Sequence, residues 1–201
     1  MTKKIIQFVA ILLVCIITIV PSAFAATGYQ GYAVGREGAG INPSTHNAIM
    51  YGVDKTVTKA VIHIAVETGQ KVDYGTWSSF VGVHTYYGAY KPNSNPTSAQ
   101  RDKVLATSDE LYKKRDSISY TVLGQRDYPA SVFNKTKVEP SAVIAIRCDG
   151  VIEYCNEYNG IQIAGGVFWN ISIPTWDHIN AHCLASVTPR SQLLGMTYVG
   201  L

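Results

Sequence analysis

The sequence has few charged residues and no strong excess of one sign. Charged side chains make up 15% of its 201 residues, with 17 Lys and Arg against 14 Asp and Glu, and the formal net charge is +3. Proteins that bind nucleic acid need clustered Lys and Arg to neutralise phosphates, so we expect no nucleic-acid partner. Internal repeats and low-complexity segments are also missing, which favours one ordinary globular domain.

Apolar runs of bilayer-spanning length are missing too. The longest run, residues 5–20, has about 16 residues, against roughly 20 for a spanning helix. It follows Lys3 and Lys4 and precedes Ala23-Phe24-Ala25, and this order is typical of a secretory signal peptide. We predict a signal peptide over 1–25, cleaved after Ala25, and one exported domain over 26–201 without a membrane span. An uncleaved N-terminal anchor is the alternative.

Cysteine is scarce, with four in the chain. Cleavage of the predicted signal peptide would remove Cys15 and leave Cys148, Cys155 and Cys183. Because three is an odd number, at least one thiol of an exported protein must stay free of internal disulfides. A disulfide between Cys155 and Cys183 would leave Cys148 free, although nothing in the sequence indicates that pairing.

Aromatic and β-branched runs predict a sheet in the first half of the chain. Thr97 and Gln100 then form a capping box that begins a helix ending near Lys114. A second predicted helix carries Cys148 and ends at Asn159-Gly160. The predicted strands are residues 31–35, 48–51, 60–66, 72–77 and 81–90; residues 124–140 are expected to be irregular, and the last forty residues to be loops with one or two short helices.

Cys148 lies at the beginning of the second helix, directly after the apolar run 142–146. Unpaired backbone N–H groups and the helix dipole favour negative charge there, so we expect a lowered thiol pKa. The same N–H groups can hold the oxyanion that forms when a thiolate attacks a carbonyl, although the charge of Asp149 opposes thiolate formation in part. The position predicts a nucleophile; the common alternative is a packed thiol.

Two histidines could supply a base and the group that orients it. His46 lies at the beginning of one predicted strand and His63 in the next. If the two histidines face each other in an antiparallel hairpin, Ala48 faces Val61 and residues 53–56 form the turn. Both imidazoles would then project from one face of the sheet, where one can hold the other in the required tautomer.

Three segments resemble motifs of the NlpC-type cell-wall peptidases, which are papain-like enzymes. Residues 147–154 and 158–161 resemble their cysteine helix, in which Asp-Cys-Ser-Gly is followed by two aliphatic residues, a Tyr and then Gly-Ile. Residues 46–52 resemble the strand His-x-Gly-Ile-Tyr-x-Gly. Residues 61–65 resemble the next strand, which carries the third catalytic polar residue.

The resemblance implies Cys148 as nucleophile, His46 as general base and His63 as the orienting group. Tyr120, in Tyr-Thr-Val-Leu-Gly, is similar to a family tyrosine upstream of the cysteine that can assist the oxyanion. Both histidines precede the cysteine, which is the order of the circularly permuted branch that includes lecithin retinol acyltransferase-like proteins. The sequence departs from the motif at the two neighbours of the cysteine, where Arg147 replaces Asp and Asp149 replaces Ser.

A competing cluster suggests zinc. His178 and His182 are four residues apart, with Asp177 and Cys183 adjacent, and these are zinc-ligand types. The metalloprotease helix has Glu after its first His, whereas Ile179 stands here. We therefore expect no metal and no cofactor.

Together these patterns predict an α+β protein of permuted papain-like fold, with an antiparallel sheet packed against the cysteine-bearing helix. The predicted activity is amide hydrolysis by a secreted or cell-envelope cysteine peptidase, and the resemblance implies peptidoglycan stem peptides as substrate. Two alternatives remain open: the same chemistry on a lipid ester or N-acyl chain, and a secreted binding module without catalysis.

Overall fold

The computed structural model of the protein describes residues 26–38, 45–127, 129–132, 137–163 and 187–200. Within these ranges the fold is mixed α+β, as predicted. The strands are β1 (Ala33–Arg36), β2 (His46–Met50), β3 (Val61–Ile64), β4 (Val72–Gly75), β5 (Tyr86–Lys91), β6 (Ser119–Tyr120), β7 (Arg126–Asp127), β8 (Ala145–Ile146) and β9 (Thr197–Gly200). The helices are α1 (Trp77–Val81), α2 (Ser98–Lys113), α3 (Cys148–Glu157) and α4 (Pro189–Leu194), with short 3-10 turns at Arg115–Ser117, Ala130–Val132 and Pro140–Ala142.

The main sheet has six strands in the order β4-β3-β2-β1-β5-β9, and every neighbouring pair is antiparallel. This confirms the predicted antiparallel sheet. A second sheet of three short strands, in the order β6-β8-β7, leads into the cysteine-bearing helix α3. None of the helices in the described part of the chain is long and apolar enough to cross a membrane.

Apolar side chains cover both faces of the main sheet. Because alternate residues of a strand point to opposite faces, Ile49 packs on the side of α2 and α3, whereas Ala48 packs on the side of α1. The larger core cluster includes Ile49, Ile62, Ile64, Val104, Leu111, Cys148, Val151 and Ile152. The smaller cluster consists of Val34, Ala48, Met50, Val61, Phe80 and Ala89.

The helix signals in the sequence are confirmed. The side chain of Thr97 accepts from the Gln100 backbone, and the Gln100 side chain bonds back to Thr97, which completes the capping box of α2. Helix α3 begins at Cys148, and Gly160 beyond its end has a φ of 72°. That left-handed conformation favours glycine and stops a helix, so both ends of α3 lie close to the predicted positions.

Two predicted strands run into α1, and one strand was not predicted. The strand predicted over 72–77 ends at Gly75. Residues 81–90 were expected to form one strand, but α1 extends to Val81 and β5 begins only at Tyr86. Thr76 starts α1 by accepting from the Ser79 backbone, and Gly82, with a φ of 50°, follows its end. Strand β9 was not predicted at all, because it pairs with β5 across about a hundred residues of chain.

The register of the hairpin also differs from the prediction. Strands β2 and β3 pair through Ile49–Ile62 and Met50–Val61, a shift of two positions from a register in which His46 faces His63. The connection is longer than four residues, since Tyr51 and Gly52 still donate to the Ala60 carbonyl. A two-residue shift keeps every side chain on its face, so both histidines still point to the same side.

Candidate active site

His46 and His63 form a hydrogen-bonded pair on the α1 face of the sheet. Nε2 of His46 lies 2.7 Å from Nδ1 of His63, and the ring centroids are 5.0 Å apart. Diagonal neighbours on adjacent strands are within reach of each other, which is why the shifted register still brings the rings together. His46 is 7% exposed and His63 is buried. Nδ1 of His46 takes part in no hydrogen bond among the described residues.

Phe80 and Arg36 enclose the imidazole pair. The Phe80 ring of α1 lies 5.7 Å from the His46 ring and 5.5 Å from the His63 ring, centroid to centroid. Arg36, which faces His46 across β1 and β2, places its guanidinium 5.4 Å from the same Phe80 ring. Arg36 also forms an ion pair with Glu67. These contacts restrict the rotation of both imidazoles.

Burial keeps both imidazoles neutral at neutral pH. The pKa of His46 is well below its ordinary value, because burial disfavours the charged ring and His63 and Arg36 add to that effect. Burial is also the main cause that lowers the pKa of His63, to about 4, against an opposing effect of Glu67. A neutral imidazole can accept a proton, so His46 is in the protonation state that a general base requires.

Cys148 is the first residue of α3 and is fully buried, at 0% exposure. Burial raises the pKa of its thiol to about 12, and the Asp149 charge raises it further. Backbone N–H groups of Asn47 and Asp149 and the charge of Arg147 act in the opposite direction. The expected lowering of the thiol pKa by the helix terminus is therefore wrong, because desolvation outweighs it; the expected opposition from Asp149 is confirmed.

The sulfur and the imidazole pair meet the same strand from different faces. Cys148 lies against the Asn47 backbone, one residue after His46, and belongs to the core cluster on the α3 side. The imidazoles pack on the α1 side against Phe80. The described residues show no hydrogen bond between the thiol and either ring. The structure thus joins the two histidines directly and brings the cysteine to the beginning of the same strand.

The two departures from the family motif form one buried ion pair. Arg147 Nε donates to Asp149 Oδ1 at 2.6 Å, and an Nη atom of Arg147 donates to Asp149 Oδ2 at 2.8 Å. Gln125 donates to the same carboxylate at 3.1 Å, and Arg147 also reaches the carbonyl of Val187. This two-pronged pair holds the first turn of α3, and with it Cys148, against the neighbouring segments.

Gln192 of α4 completes a polar network that the sequence did not suggest. Its side-chain nitrogen donates to the Asp149 carbonyl and to Glu153 Oε2, both at 2.8 Å. Its side-chain oxygen accepts from Asn47 at 3.1 Å, and Asn47 also donates to the Pro189 carbonyl. The network ties β2 to α3 through α4. No local motif marks Gln192, because its partners are far away in the chain.

Tyr120 lies near the cysteine. Strand β6 pairs in parallel with β8, and Tyr120 faces Ile146, two residues before Cys148. Burial raises the pKa of Tyr120, and the charges of Cys148 and Asp149 raise it further. The tyrosine therefore remains a neutral hydroxyl, able to donate a hydrogen bond.

Among the residues that the structure describes, one set of side chains could hold a metal ion. Ligand atoms of His46, His63 and Glu67 all lie within 4.8 Å of one another, and two imidazoles with a carboxylate are a known zinc ligand set. In this structure the histidines bond to each other and Glu67 bonds to Arg36. The other zinc candidates, His178, His182 and Cys183, lie outside the described residues.

The remaining cysteine on α3 is a buried free thiol. Cys155, like Cys148, forms no disulfide, so the pairing with Cys183 that the sequence left open is not found. Burial raises the pKa of Cys155 well above its ordinary value. The two thiols of one helix differ mainly in their surroundings: Cys148 adjoins polar groups and β2, and Cys155 lies within the apolar core.

Comparison of the chain with models of protein families, with curated proteins and with solved structures gives no match in any of the three.

Proposed function

We propose that the protein is an exported cysteine amidase or peptidase of permuted papain-like fold. The observation that carries the proposal is the 2.7 Å bond between His46 Nε2 and His63 Nδ1, on the strand whose next residue, Asn47, contacts the cysteine at the start of α3. That bond leaves Nδ1 of His46 available while His63 fixes the ring. A nucleophile, a base and a group that orients the base are the parts that a cysteine hydrolase needs.

In the proposed reaction, Nδ1 of His46 takes the thiol proton as Cys148 Sγ attacks the amide carbonyl. The first backbone N–H groups of α3 and the Tyr120 hydroxyl hold the oxyanion. His46 then gives its proton to the leaving amine, and a thioester remains on Cys148. Water attacks the thioester and restores the thiol. His63 keeps the His46 ring oriented throughout, and no cofactor enters.

The first step needs a rearrangement at the beginning of β2. Because Cys148 is fully buried and shows no bond to His46, substrate binding has to expose the sulfur and bring it within about 3–3.5 Å of Nδ1. Catalytic hydrogen bonds of enzymes without substrate are often long and tighten only in the complex. Once His46 is in reach, the high thiol pKa matters less, since the proton leaves as the sulfur attacks.

The proposed substrate is the peptide part of peptidoglycan. Two sequence features support this choice: the predicted signal peptide, which would deliver the enzyme to the cell envelope, and the resemblance of its three motifs to cell-wall peptidases. A lipid ester or N-acyl chain would use the same catalytic groups.

A secreted binding module without catalysis is the second candidate. The complete burial of Cys148 and its raised pKa favour it, because a packed thiol with these properties is unreactive. In that case the polar network around α3 would serve stability alone.

Digestion of peptidoglycan separates these candidates. Purified exported protein should release peptide fragments that mass spectrometry identifies, and Cys148→Ala should release none. Cys155→Ala is the matched control, since it removes a buried thiol from the same helix, and it should retain activity. Equal release by both variants would refute the role of Cys148. No release by any form, with hydrolysis of acyl esters instead, would favour the lipid substrate; inactivity on both would favour the binding module.

A further inference from the structure

Residues 26–31, which follow the predicted cleavage site, pack against the first turns of α2. Ala26 is only 4% exposed, and its backbone nitrogen donates to Asp102 Oδ1 at 2.6 Å. The neighbouring Arg101 donates to the Ala26 carbonyl at 2.9 Å and to the Gly28 and Gln30 carbonyls at 2.7 Å each. Two adjacent side chains of α2 thus hold the nitrogen and the oxygen of Ala26.

Further contacts fix this segment between α2 and the sheet. The Gln30 side chain accepts from the Thr27 backbone and donates to the Tyr51 carbonyl at 2.9 Å. Gly31 donates to the Met50 carbonyl, and a Cβ atom at Gly31, whose φ is 81°, would lie 2.9 Å from Arg101 Cβ. Only glycine fits such a close approach in the left-handed region. The site for residues 26–31 is therefore specific.

We propose that cleavage of the Ala25–Ala26 bond creates an α-ammonium group at Ala26 that forms a shielded ion pair with Asp102. An export peptidase would hydrolyse the bond with one water molecule, leaving a carboxylate on Ala25 and an amine on Ala26 that takes up a proton. Before cleavage the Ala26 nitrogen is an uncharged amide; afterwards it carries a positive charge at the same place.

The charge balance supports a stabilising role for this step. In the uncleaved chain the Asp102 carboxylate accepts from a neutral amide, while the described bonds of the Arg101 guanidinium go to three backbone carbonyls. The 2.6 Å contact is already charge-assisted before cleavage, because its acceptor is a carboxylate. Cleavage makes the donor an ammonium as well, so that both partners carry a charge and Coulomb attraction is added to the hydrogen bond. Removal of the predicted signal peptide thus gives the Asp102 carboxylate a partner of opposite charge. This inference does not depend on whether the protein is an amidase.

Labelling of the new amine tests the proposal. The full-length chain is expressed with export, and the mature protein is treated at pH 7 with an amine-reactive ester. Mass spectrometry should find Ala26 as the first residue and an α-amine that reacts at least about tenfold more slowly in the native than in the urea-unfolded protein. Asp102→Asn should raise the native rate. The matched control Asp116→Asn, which removes a highly exposed carboxylate paired with Lys71, should not.

A glycine inserted between Ala25 and Ala26 of the full-length chain tests the same ion pair without changing Asp102. The cleaved product would carry its ammonium on the inserted glycine, one residue before Ala26, with the two Cα atoms about 3.8 Å apart. Its thermal midpoint should fall by roughly 2–4 °C, and Asp102→Asn should lower it little more. A different N-terminal residue, equal labelling of native and unfolded protein, or an unchanged midpoint after the insertion would each overturn the proposal.

Discussion

At the scale of single residues, the proposed chemistry depends on two buried rings that share one hydrogen bond. His63 has no solvent to stabilise its charged form, and Phe80 and Arg36 occupy the space around it. Burial lowers the pKa of His63 because the charged ring would be shielded from water, and the positive charge of Arg36 lowers it further. Stability and catalysis should therefore respond to pH through the same residue.

The pH dependence of stability should reveal the neutral state of His63. Its pKa is about 4 in the folded protein, below the unfolded value of about 6.5. The unfolded chain therefore binds more protons as the pH falls from about 6.5, and stability from this group is lost down to about pH 4. Between pH 7.5 and pH 5.5 the loss should be about 1 kcal/mol in the free energy of urea unfolding.

The measurement is the difference between wild type and His63→Asn, with His84→Asn as the control. Taking the difference removes the contribution of Glu157, whose pKa is raised to about 7 by burial and whose effect has the opposite sign. The loss of unfolding free energy between pH 7.5 and pH 5.5 should be absent in His63→Asn and unchanged in His84→Asn. The same pH dependence in both variants would show that His63 does not carry the shift.

At the scale of elements, the position of Cys148 follows from how α3 is held at its first turn. Arg147 and Asp149 form a two-pronged ion pair that is almost completely buried, and Gln192 and Asn47 connect it to α4 and β2. Gly150 packs against the Gln125 backbone and leaves no room for a larger side chain. The helix start is therefore a rigid support, so the rearrangement that the proposed reaction needs falls to the beginning of β2.

Breaking the pair between Arg147 and Asp149 should destabilise the fold strongly. Asp149→Asn leaves a buried guanidinium without its partner charge, and removal of one member of a buried pair typically costs about 3–5 kcal/mol. Urea unfolding should show a loss in that range. Asp116→Asn, which breaks a surface pair with Lys71, should change the free energy by less than about 1 kcal/mol. Similar small losses for both variants would contradict the supporting role of the buried pair.

At the scale of the whole molecule, local signals predicted elements well and long-range contacts poorly. The local signals each span only a few residues of sequence: they are the capping box at Thr97, the helix stop at Gly160 and the apolar periodicity of α3. The register of β2 with β3 depended on the turn between them, and β9 reaches its partner β5 only in the folded chain. Gln192 contacts residues more than 30 positions away, so no periodicity could reveal it.

The candidate site shows the same division. The pairing of His46 with His63 was predictable because strand parity survives a shift of two residues. The burial of Cys148 was not, since it comes from the packing of α3 on β2, which lies about a hundred residues earlier in the chain. Exposure is a property of the assembled core rather than of a motif.

Removal of metal distinguishes the thiol mechanism from a zinc mechanism at the same histidines. His46, His63 and Glu67 lie close enough to share an ion, and a zinc hydrolase would lose its activity with that ion. Under the thiol mechanism, release of peptidoglycan fragments should be unchanged by dialysis against EDTA and should be absent in Cys148→Ala. Loss of activity with EDTA and recovery with Zn²⁺ would instead assign the reaction to a metal.

The central claim is that Cys148 carries the acyl group with His46 as its base, and trapping the intermediate tests it most directly. Protein mixed with substrate and quenched in acid should show, by peptide mass spectrometry, a thioester on Cys148 and none on Cys155. The adduct should form at least about a hundredfold more slowly in His46→Ala, because general base catalysis typically contributes 10²–10⁴. Turnover without an adduct on Cys148, or equal rates of adduct formation with and without His46, would contradict the account.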